Sequence, residues 1–397
     1  MVGGTLACIL ARAGVSVAVI DRAAPSTRLA AEYDGRASAI ALGSKRVLQG
    51  AGLWDDLDAH ASPILDIVVS DQQSPSSLHY DHREVETGGT DEPLGYMIEN
   101  RHFHVALAHG FKACEKQGTL CVLTPDQMVS LDRPSHRIEA TLENSTVLTA
   151  KLIVGCDGRN SMVRKAAGIP VIAHDYKQSG IVCTVEHEIS HEQTAYERFL
   201  KTGPFAILPL NDHRSSIVWA EQRDLADKIM TLDDADFAAE LRARFGDFLG
   251  TVTPTGPRWC YPLSVQYTNT IIDHRLVLAG DAAHAMHPLA GQGLNMGLRD
   301  IAVLAEVIMD ARRLGLDFAA HSILERYQRW RRFDNTLMLG ATHSINKLFS
   351  NSLEPLRLAR VLGLAVVDSL PPVKQYFMKQ AMGLAGDLPR LMQGQPL

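Results

Sequence analysis

The stretch from Leu276 to Asp300, LVLAGDAAHAMHPLAGQGLNMGLRD, limits what this chain can fold into more than any other. Leu276 to Ala279 is a short apolar run, the pattern of a strand buried on both faces. It delivers the carboxylate of Asp281 at its C-terminal edge. Gly280, Gly291 and Gly293 then let backbone pass close to a flat ligand. A helix is predicted from about Asn295 to Arg313, and its N-terminal dipole favours negative charge in front of it. Metal ligands must converge on one point. This loop uses its glycines for backbone shape, so Asp281, His284 and His287 are not read as a metal set.

Two further strand–turn–helix units lie far away in the chain. In VGCDGRNSMVR, Val154 to Arg164, the strand ends in a glycine-flanked turn carrying Asp157, and Ser161 is placed to cap the next helix. Arg159 and Arg164 add fixed positive charge. Backbone N–H groups and arginines at a helix start suit a phosphate, and a capped turn with surface arginines is the alternative. At the N-terminus, Leu6, Ile9, Leu10 and Ala13 recur at helical spacing behind Gly3 and Gly4. Gly14 stops that helix, and Val15 to Ile20 is a short strand ending at Asp21. The helix start attracts a pyrophosphate and Asp21 can accept hydrogen bonds from a ribose. A plain packing turn fits the same residues.

A chain of 397 residues suggests two or three domains. Its 39 Lys and Arg stand against 45 Asp and Glu, a balance that argues against nucleic-acid partners. No apolar run reaches the roughly 18 residues of a spanning helix. The opening Met1-Val2-Gly3-Gly4 lacks the basic stretch of a secretory signal. Six cysteines without a CxxC pair read as reduced thiols. The expected location is cytoplasmic.

Between the three units the texture changes. Ser38–Leu53 reads as a helix with Ile40, Leu42, Val47 and Leu48 on its apolar face, and Glu99–Lys116 as another. Gln72–Pro93 is polar and turn-rich. Ile181–Val185, Phe205–Leu208 and Ser216–Ala220 are strand-like runs, the pattern of a mainly antiparallel sheet. Helical patterns run to the end, broken at Pro355, Pro371-Pro372 and Pro389. The expected division is a nucleotide-binding part in segments 1–70, 94–170 and 266–345. An excursion at 71–93, a sheet at 171–265 and a helical C-terminal region at 346–397 complete it.

VGCDGRNSMVR and GDAAHAMHPLAGQGLNMGLRD resemble the second and third flavin motifs of the single-component FAD-dependent aromatic hydroxylases, the para-hydroxybenzoate hydroxylase type. HPLAGQGLN is similar to one branch, the ubiquinone-biosynthesis polyprenylphenol hydroxylases. DGRASAIALGSKRVLQGAGLW, LGYMIENRHF, GPFAILPL, YPLSVQY and FSNSLEPLRLARVLGL agree with that branch. The likeness covers nearly the whole chain. It implies an α/β fold: a Rossmann-like FAD-binding domain, an inserted mainly antiparallel substrate-domain sheet and a helical C-terminal region.

The resemblance also implies roles. Asp281, behind Gly280, would contact the flavin's ribityl or ribose hydroxyls, and Pro288 to Asn295, with Gly291, Gly293 and Leu294, would wrap the isoalloxazine. A reduced flavin carries negative charge on its pyrimidine side, which suits the helix start there. Gly3 would close the pyrophosphate turn and Asp21 would hold the adenosine ribose. Asp157 and Arg164 would belong to a motif shared by FAD and NAD(P)H, and Arg36 would lie near the cofactor entrance. Asn100 or Arg101 would contact FAD from a helix. FAD would be the cofactor, NAD(P)H a transient co-substrate, and O₂ the source of the oxygen placed on a polyprenylated phenol.

No catalytic acid or base is assigned. His287 reads as a positioning residue, and Phe205, Leu208 and Trp219 as core. The tail from Leu353 to Leu391 has amphipathic patches (Leu356, Leu358, Val361, Leu362 and Leu364 with Arg357 and Arg360). They suit contact with a membrane surface, a biosynthetic-complex partner or packing onto the protein, so the location extends to the periphery of the inner membrane face. The family opens with a strand and a full G-x-G-x-x-G, of which Gly3 is the last glycine. The expectation is that Met1 is an internal methionine, and that without the strand its neighbours' edges are exposed and half the pyrophosphate cradle is missing. Three other readings share the motifs: a hydroxylase of a small soluble aromatic, a non-catalytic relative in a biosynthetic assembly, and a flavin-dependent reductase of isoprenoid double bonds.

Overall fold

Short apolar strands form two parallel ladders in the computed structural model, which describes residues 1–30, 35–71, 77–85, 91–286, 291–349 and 367–397, without the side chains of 339 and 341–349. Val17–Ile20 (β1) pairs with Leu120–Leu123 (β7), and Ile153–Gly155 (β11) with Leu276–Leu278 (β18). Ile272–Asp273 (β17) closes the far edge of β18 in antiparallel. Among the described residues β1 pairs only with β7, and β11 only with β18. Parallel strands need covering helices. These are Val2–Arg12 (α1), Asn100–Lys116 (α4), Gln292–Arg313 (α8) and His321–Phe349 (α9), with the short helix Pro25–Arg28 (α2) between α1 and α4 in the chain. Leu6, Ile9 and Leu10 of α1 share one core with Leu276, Val277 and Leu278 and with Ile301, Leu304 and Ile308 of α8.

The second layer is an eight-stranded sheet. Its strands are Asp66–Asp71 (β4), Ser77–Asp81 (β5), Ile172–His187 (β12), Thr194–Leu200 (β13), Gly203–Leu210 (β14), Arg214–Gln222 (β15), Val252–Tyr267 (β16) and His284–Ala285 (β19). The order is β19-β16-β12-β15-β14-β13-β4-β5, antiparallel throughout except for β13 beside β4. Strand alternation splits its residues between two faces. Ile181, Cys183, Phe205, Ile207, Ile217 and Trp219 pack under Arg223–Met230 (α6) and Asp234–Phe245 (α7). Ile67, Ala195, Leu208 and Leu210 face the other way. They meet the small sheet of Ala37–Ala41 (β2), Ser62–Ile64 (β3) and Gly95–Glu99 (β6). Phe205 and Trp219 are thus core, whereas Leu208 lies on the opposite face.

Several sequence expectations are corrected. Ser38–Leu53 is not one helix: residues 37–41 form β2, and the helix is Leu42–Gly50 (α3). Pairing with β6, and a hydrogen bond from the Ala41 N–H to Asn295 Oδ1 (2.9 Å), override the local helix preference of an alanine-rich segment. The large sheet takes in Asp66, a few residues before the excursion begins. Sequence reading passed over α6 and α7, and also the meander Met128–Asp132 (β8), Ile138–Leu142 (β9) and Val147–Ala150 (β10). The pair Pro371-Pro372 opens a helix, Pro371–Ala381 (α10), because the first turn has no partner for a proline's missing N–H. Five-residue Met162–Ala166 (α5) completes the helices used below. The amphipathic patches from Leu356 to Leu364 lie outside the described residues.

Two buried histidines pin the turn between β12 and β13. His187 donates from Nδ1 to the Ile189 carbonyl (2.8 Å), and its Nε2 accepts from Ser215 Oγ (3.1 Å). His191 donates from Nε2 to the Leu210 carbonyl (2.8 Å), and its Nδ1 accepts from the Gln193 N–H (3.0 Å). Burial holds both below the ordinary 6.5. The unfolded chain therefore takes up these protons first, so the stability they contribute is complete above pH 6.5 and is lost as pH falls below it. Urea midpoints measured from pH 8 to 5 should drop across this range, and His187→Gln should flatten part of the drop.

Candidate active site

Two residues beyond β18, Gly280, with a φ of +59°, turns the chain so that Asp281 faces outward, its side chain 51% exposed. The turn is held from beneath by Asp300 on α8. Asp300 Oδ2 accepts from the Gly280 N–H (2.9 Å) and from His284 Nε2 (2.6 Å), and Oδ1 accepts from Arg331 Nε (2.7 Å). Asp300 and Arg331 are both fully buried. Burial alone would raise the Asp300 carboxyl, but His284 and Arg331 together hold it down at about 2. The same face of α8 touches the head of α1: a Cβ on Gly297 would stand 2.6 Å from Val2 Cγ2 and 3.3 Å from Gly280 Cα. Gly3 is similarly tight, with Cys156 Cβ 2.8 Å from where its own Cβ would be.

The second unit is used differently from a phosphate cradle. Asp157 itself accepts from Ser161 Oγ (2.5 Å) and from the N–H groups of Met162 (2.6 Å) and Val163 (3.2 Å), while Ser161 Oγ accepts from Arg164 N–H (2.9 Å). The helix-start donors are therefore satisfied within the turn, and the capped-turn reading describes the geometry. Of the two arginines only Arg164 is buried, Arg159 being partly exposed. Buried Arg164 donates to the carbonyls of Ala282 (2.8 Å) and Arg159 (2.6 Å). Arg159 donates to Ser264 Oγ (2.6 Å) and lies 3.9 Å from Asp281. Gln266 donates to the carbonyls of Arg159 (2.9 Å) and Asp281 (3.3 Å). The two motifs and the end of β16 are thus locked into one corner.

Gly291 caps α8 in the left-handed region (φ +62°), with Ala39 Cβ 3.0 Å from where its Cβ would lie. Asn295 ties this cap to β2: its Nδ2 donates to the Ala39 carbonyl (2.9 Å) and the Gly291 carbonyl (3.3 Å). Beside Gly293 there is open space among the described residues, none of which stands within 4 Å of an added Cβ. Leu294 is half-buried against the main core. Pro288 and His287 lie outside the described residues. Asp21, at the end of β1, accepts from the Ala23 N–H (3.0 Å) and from Arg28 (2.6 Å). Asp21 and Asp281 both lie near Met1, the residue that caps α1.

Of the predicted residues, Gly3, Asp21, Gly280, Asp281, Gly291, Gly293, Leu294 and Asn295 gather around the starts of α1 and α8. Exposed Arg36 stands over the Tyr261 ring at 5.2 Å. Of the alternatives on α4, Asn100 is buried, its N–H donating to the Arg36 carbonyl and its Oδ1 accepting from Ser38 Oγ. Arg101 is directed to Glu99 (3.1 Å). Asp300, Arg331 and Gln266 carry structural weight that sequence reading missed. The signal for Asp300 was present: a lone carboxylate just ahead of the apolar run IAVLAEVIM.

Two helix starts, each opened by glycine, converge with two strand-end carboxylates and an open gap at Gly293. The donors, the carboxylates, which can accept from hydroxyls, and the backbone clearance fit a dinucleotide with a flat ring system. The class defined is a flavin-type dinucleotide-binding α/β protein. The chain belongs to the FAD-binding domain family, whose model matches residues 1–336, and FAD is its cofactor. It is 50% identical to ubiquinone hydroxylase UbiL of Rhodospirillum rubrum, over all of this chain and 91% of that protein. It is 35% identical to 3-demethoxyubiquinol 3-hydroxylase of Escherichia coli, over 97% of this chain and 96% of that one. In fold it is similar to p-nitrophenol 4-monooxygenase PnpA of Pseudomonas putida, with a TM-score of 0.79 at 20% identity over 97% and 96% of the two chains.

Proposed function

We propose that this chain is an FAD-dependent monooxygenase that hydroxylates the aromatic ring of a polyprenylated phenol in ubiquinone biosynthesis, with NAD(P)H and O₂ as co-substrates. The observation that carries this is the 50% identity, along its full length, to a protein named a ubiquinone hydroxylase. The chemistry supplied by bound FAD is electron transfer from NAD(P)H to O₂ and delivery of one oxygen atom to the ring. The chain's own residues do the rest. Asp281 and Asp21 accept hydrogen bonds from cofactor hydroxyls, Gly3 and the start of α1 take the pyrophosphate, and Gly280, Gly291, Gly293, Leu294, Asn295 and Pro288 surround the ring system. Asp157 and Arg164 act by holding the corner, while Arg36 and Arg101 flank the entrance.

Such a substrate resides in a bilayer. No helix among the described residues is long and apolar enough to cross one. Leu370, Val373, Tyr376 and Phe377 are exposed on or beside α10 and support peripheral membrane contact, which belongs to this proposal. The test is NAD(P)H oxidation and O₂ uptake with the prenylated phenol supplied in vesicles. The expected result is strong stimulation and a product one oxygen atom heavier. Equal turnover of a short soluble phenol, or reduction of the chain without O₂ uptake, would contradict it.

A further inference from the structure

Glu197 lies at the middle of β13, in the sequence TAYERFL. Alternation puts it on the same side as Ala195, the face turned toward β2, and opposite Tyr196, which packs with the α6 and α7 core. The residues directly across from it on this face are Val69 on β4 and Ala206 on β14. The row continues through Val218 on β15 and Val182 on β12 to Trp259 on β16. A carboxylate is therefore set in an otherwise apolar row. Ala206 and Val182 of this row are buried, Val69, Glu197, Val218 and Trp259 are partly buried, and Gly35 packs on the Trp259 ring at its far end.

This face leads to the flavin corner. Ala195, one position back on the same side of β13, shares a cluster with Ala37 and Ala39, and Ala39 Cβ lies 3.0 Å from a Cβ position on Gly291. On the same face of β16, two residues on from Trp259, Tyr261 lies under Arg36, the residue that precedes β2. Glu197 takes no hydrogen bond or ion pair among the described residues. The charged and titratable groups around the face are otherwise engaged or distant in kind. Glu99 and Arg214 pair with each other (3.4 Å), Arg36 lies on Tyr261, Asp71 is buried on β4, and the Tyr80 phenol is pushed up to about 12.

Resting on the proposed function, we infer that Glu197 is the base that takes the proton from the ring hydroxyl of the phenolic substrate. A phenol becomes a better ring nucleophile as it loses this proton. The O–H bond breaks, its electron pair stays on the ring oxygen, and the proton passes to a carboxylate oxygen of Glu197, then to water after product leaves. Nothing is oxidised or reduced in this step. Burial pushes the Glu197 carboxyl up to about 7, a value suited to general-base work near neutrality.

The test uses the FAD-loaded full chain with a short-chain prenylated phenol. The wild-type kcat should rise with pH through about 7. Glu197→Gln should lower kcat by about 100-fold or more and abolish that limb, with KM little changed. Glu197→Asp should restore part of the rate. Independently of turnover, infrared difference spectra should show a protonated carboxyl that titrates near 7 in the wild type and is absent in Glu197→Gln. A Glu197→Gln enzyme with unchanged kcat and pH profile, or an unchanged infrared titration, would overturn the inference while leaving the hydroxylase reading intact. A wild type that never hydroxylates the prenylated phenol would overturn that reading, and the role of Glu197 with it.

Discussion

Asp300→Ala is expected to destabilise the fold by about 3–5 kcal/mol and to strip the protein of flavin. Removing this carboxylate takes from the fully buried Arg331 guanidinium its one buried counter-charge among the described residues, leaving the partly exposed Asp334 (2.8 Å). It also leaves the Gly280 N–H and His284 Nε2 without an acceptor in a dry interior. Breaking one side of a buried ion pair costs far more than the pair itself contributes. The loss reaches the site directly, because Gly280 and His284 bracket Asp281. The same carboxyl has a pH signature. It is held at about 2, below the ordinary 3.8, so its stabilising contribution is complete above pH 3.8 and disappears as pH falls toward 2. Urea unfolding and the flavin absorbance band of the purified variant read both effects. A variant with wild-type midpoint and full flavin would show that the buried triad is not what holds the turn.

Gly297→Val is the second large effect. Its Cβ would fall 2.6 Å from Val2 Cγ2 and 3.3 Å from Gly280 Cα. The first contact is the end of a short, stiff side chain, and the second is backbone of the turn that presents Asp281. Relief requires α1 and α8 to separate, which should cost about 1–3 kcal/mol as overpacking. The two helix starts would no longer converge, and flavin affinity should fall by at least about tenfold. Gly293→Ala is the matching control. No described residue lies within 4 Å of its added Cβ, and alanine is the better helix former, so folding should be unchanged or slightly improved. It fills the gap proposed for the ring system, so flavin retention should fall alone. Comparable flavin loss with comparable unfolding in both variants would contradict this separation of packing from binding.

The strand–turn–helix units were legible in the chain because each is local. Apolar strand residues, a carboxylate and glycines all stand within the single stretch Leu276–Asn295. The helix α4 and the three quoted strands of the large sheet were legible from period alone. What escaped was decided elsewhere in the molecule. Residues 37–41 read as helix by composition, and only β6 and Asn295 make them a strand. Asp300 and Arg331 are 31 positions apart and carry no mutual signal. The bonds of Asp157 to Ser161, Met162 and Val163 carry no signal in the chain beyond the cap position of Ser161. Glu197 needed the parity of a strand that was not recognised at 194–200. Leu208 needed the same parity to separate it from Phe205 and Trp219.

The most direct measurement is the fate of oxygen-18 gas in a turnover with the prenylated phenol, NAD(P)H and the flavin-loaded protein. Ring hydroxylation predicts one labelled oxygen atom in the product's new hydroxyl, with one NAD(P)H consumed for each product formed. Label that enters only water, or a product altered in its prenyl chain with no oxygen taken up, would contradict it.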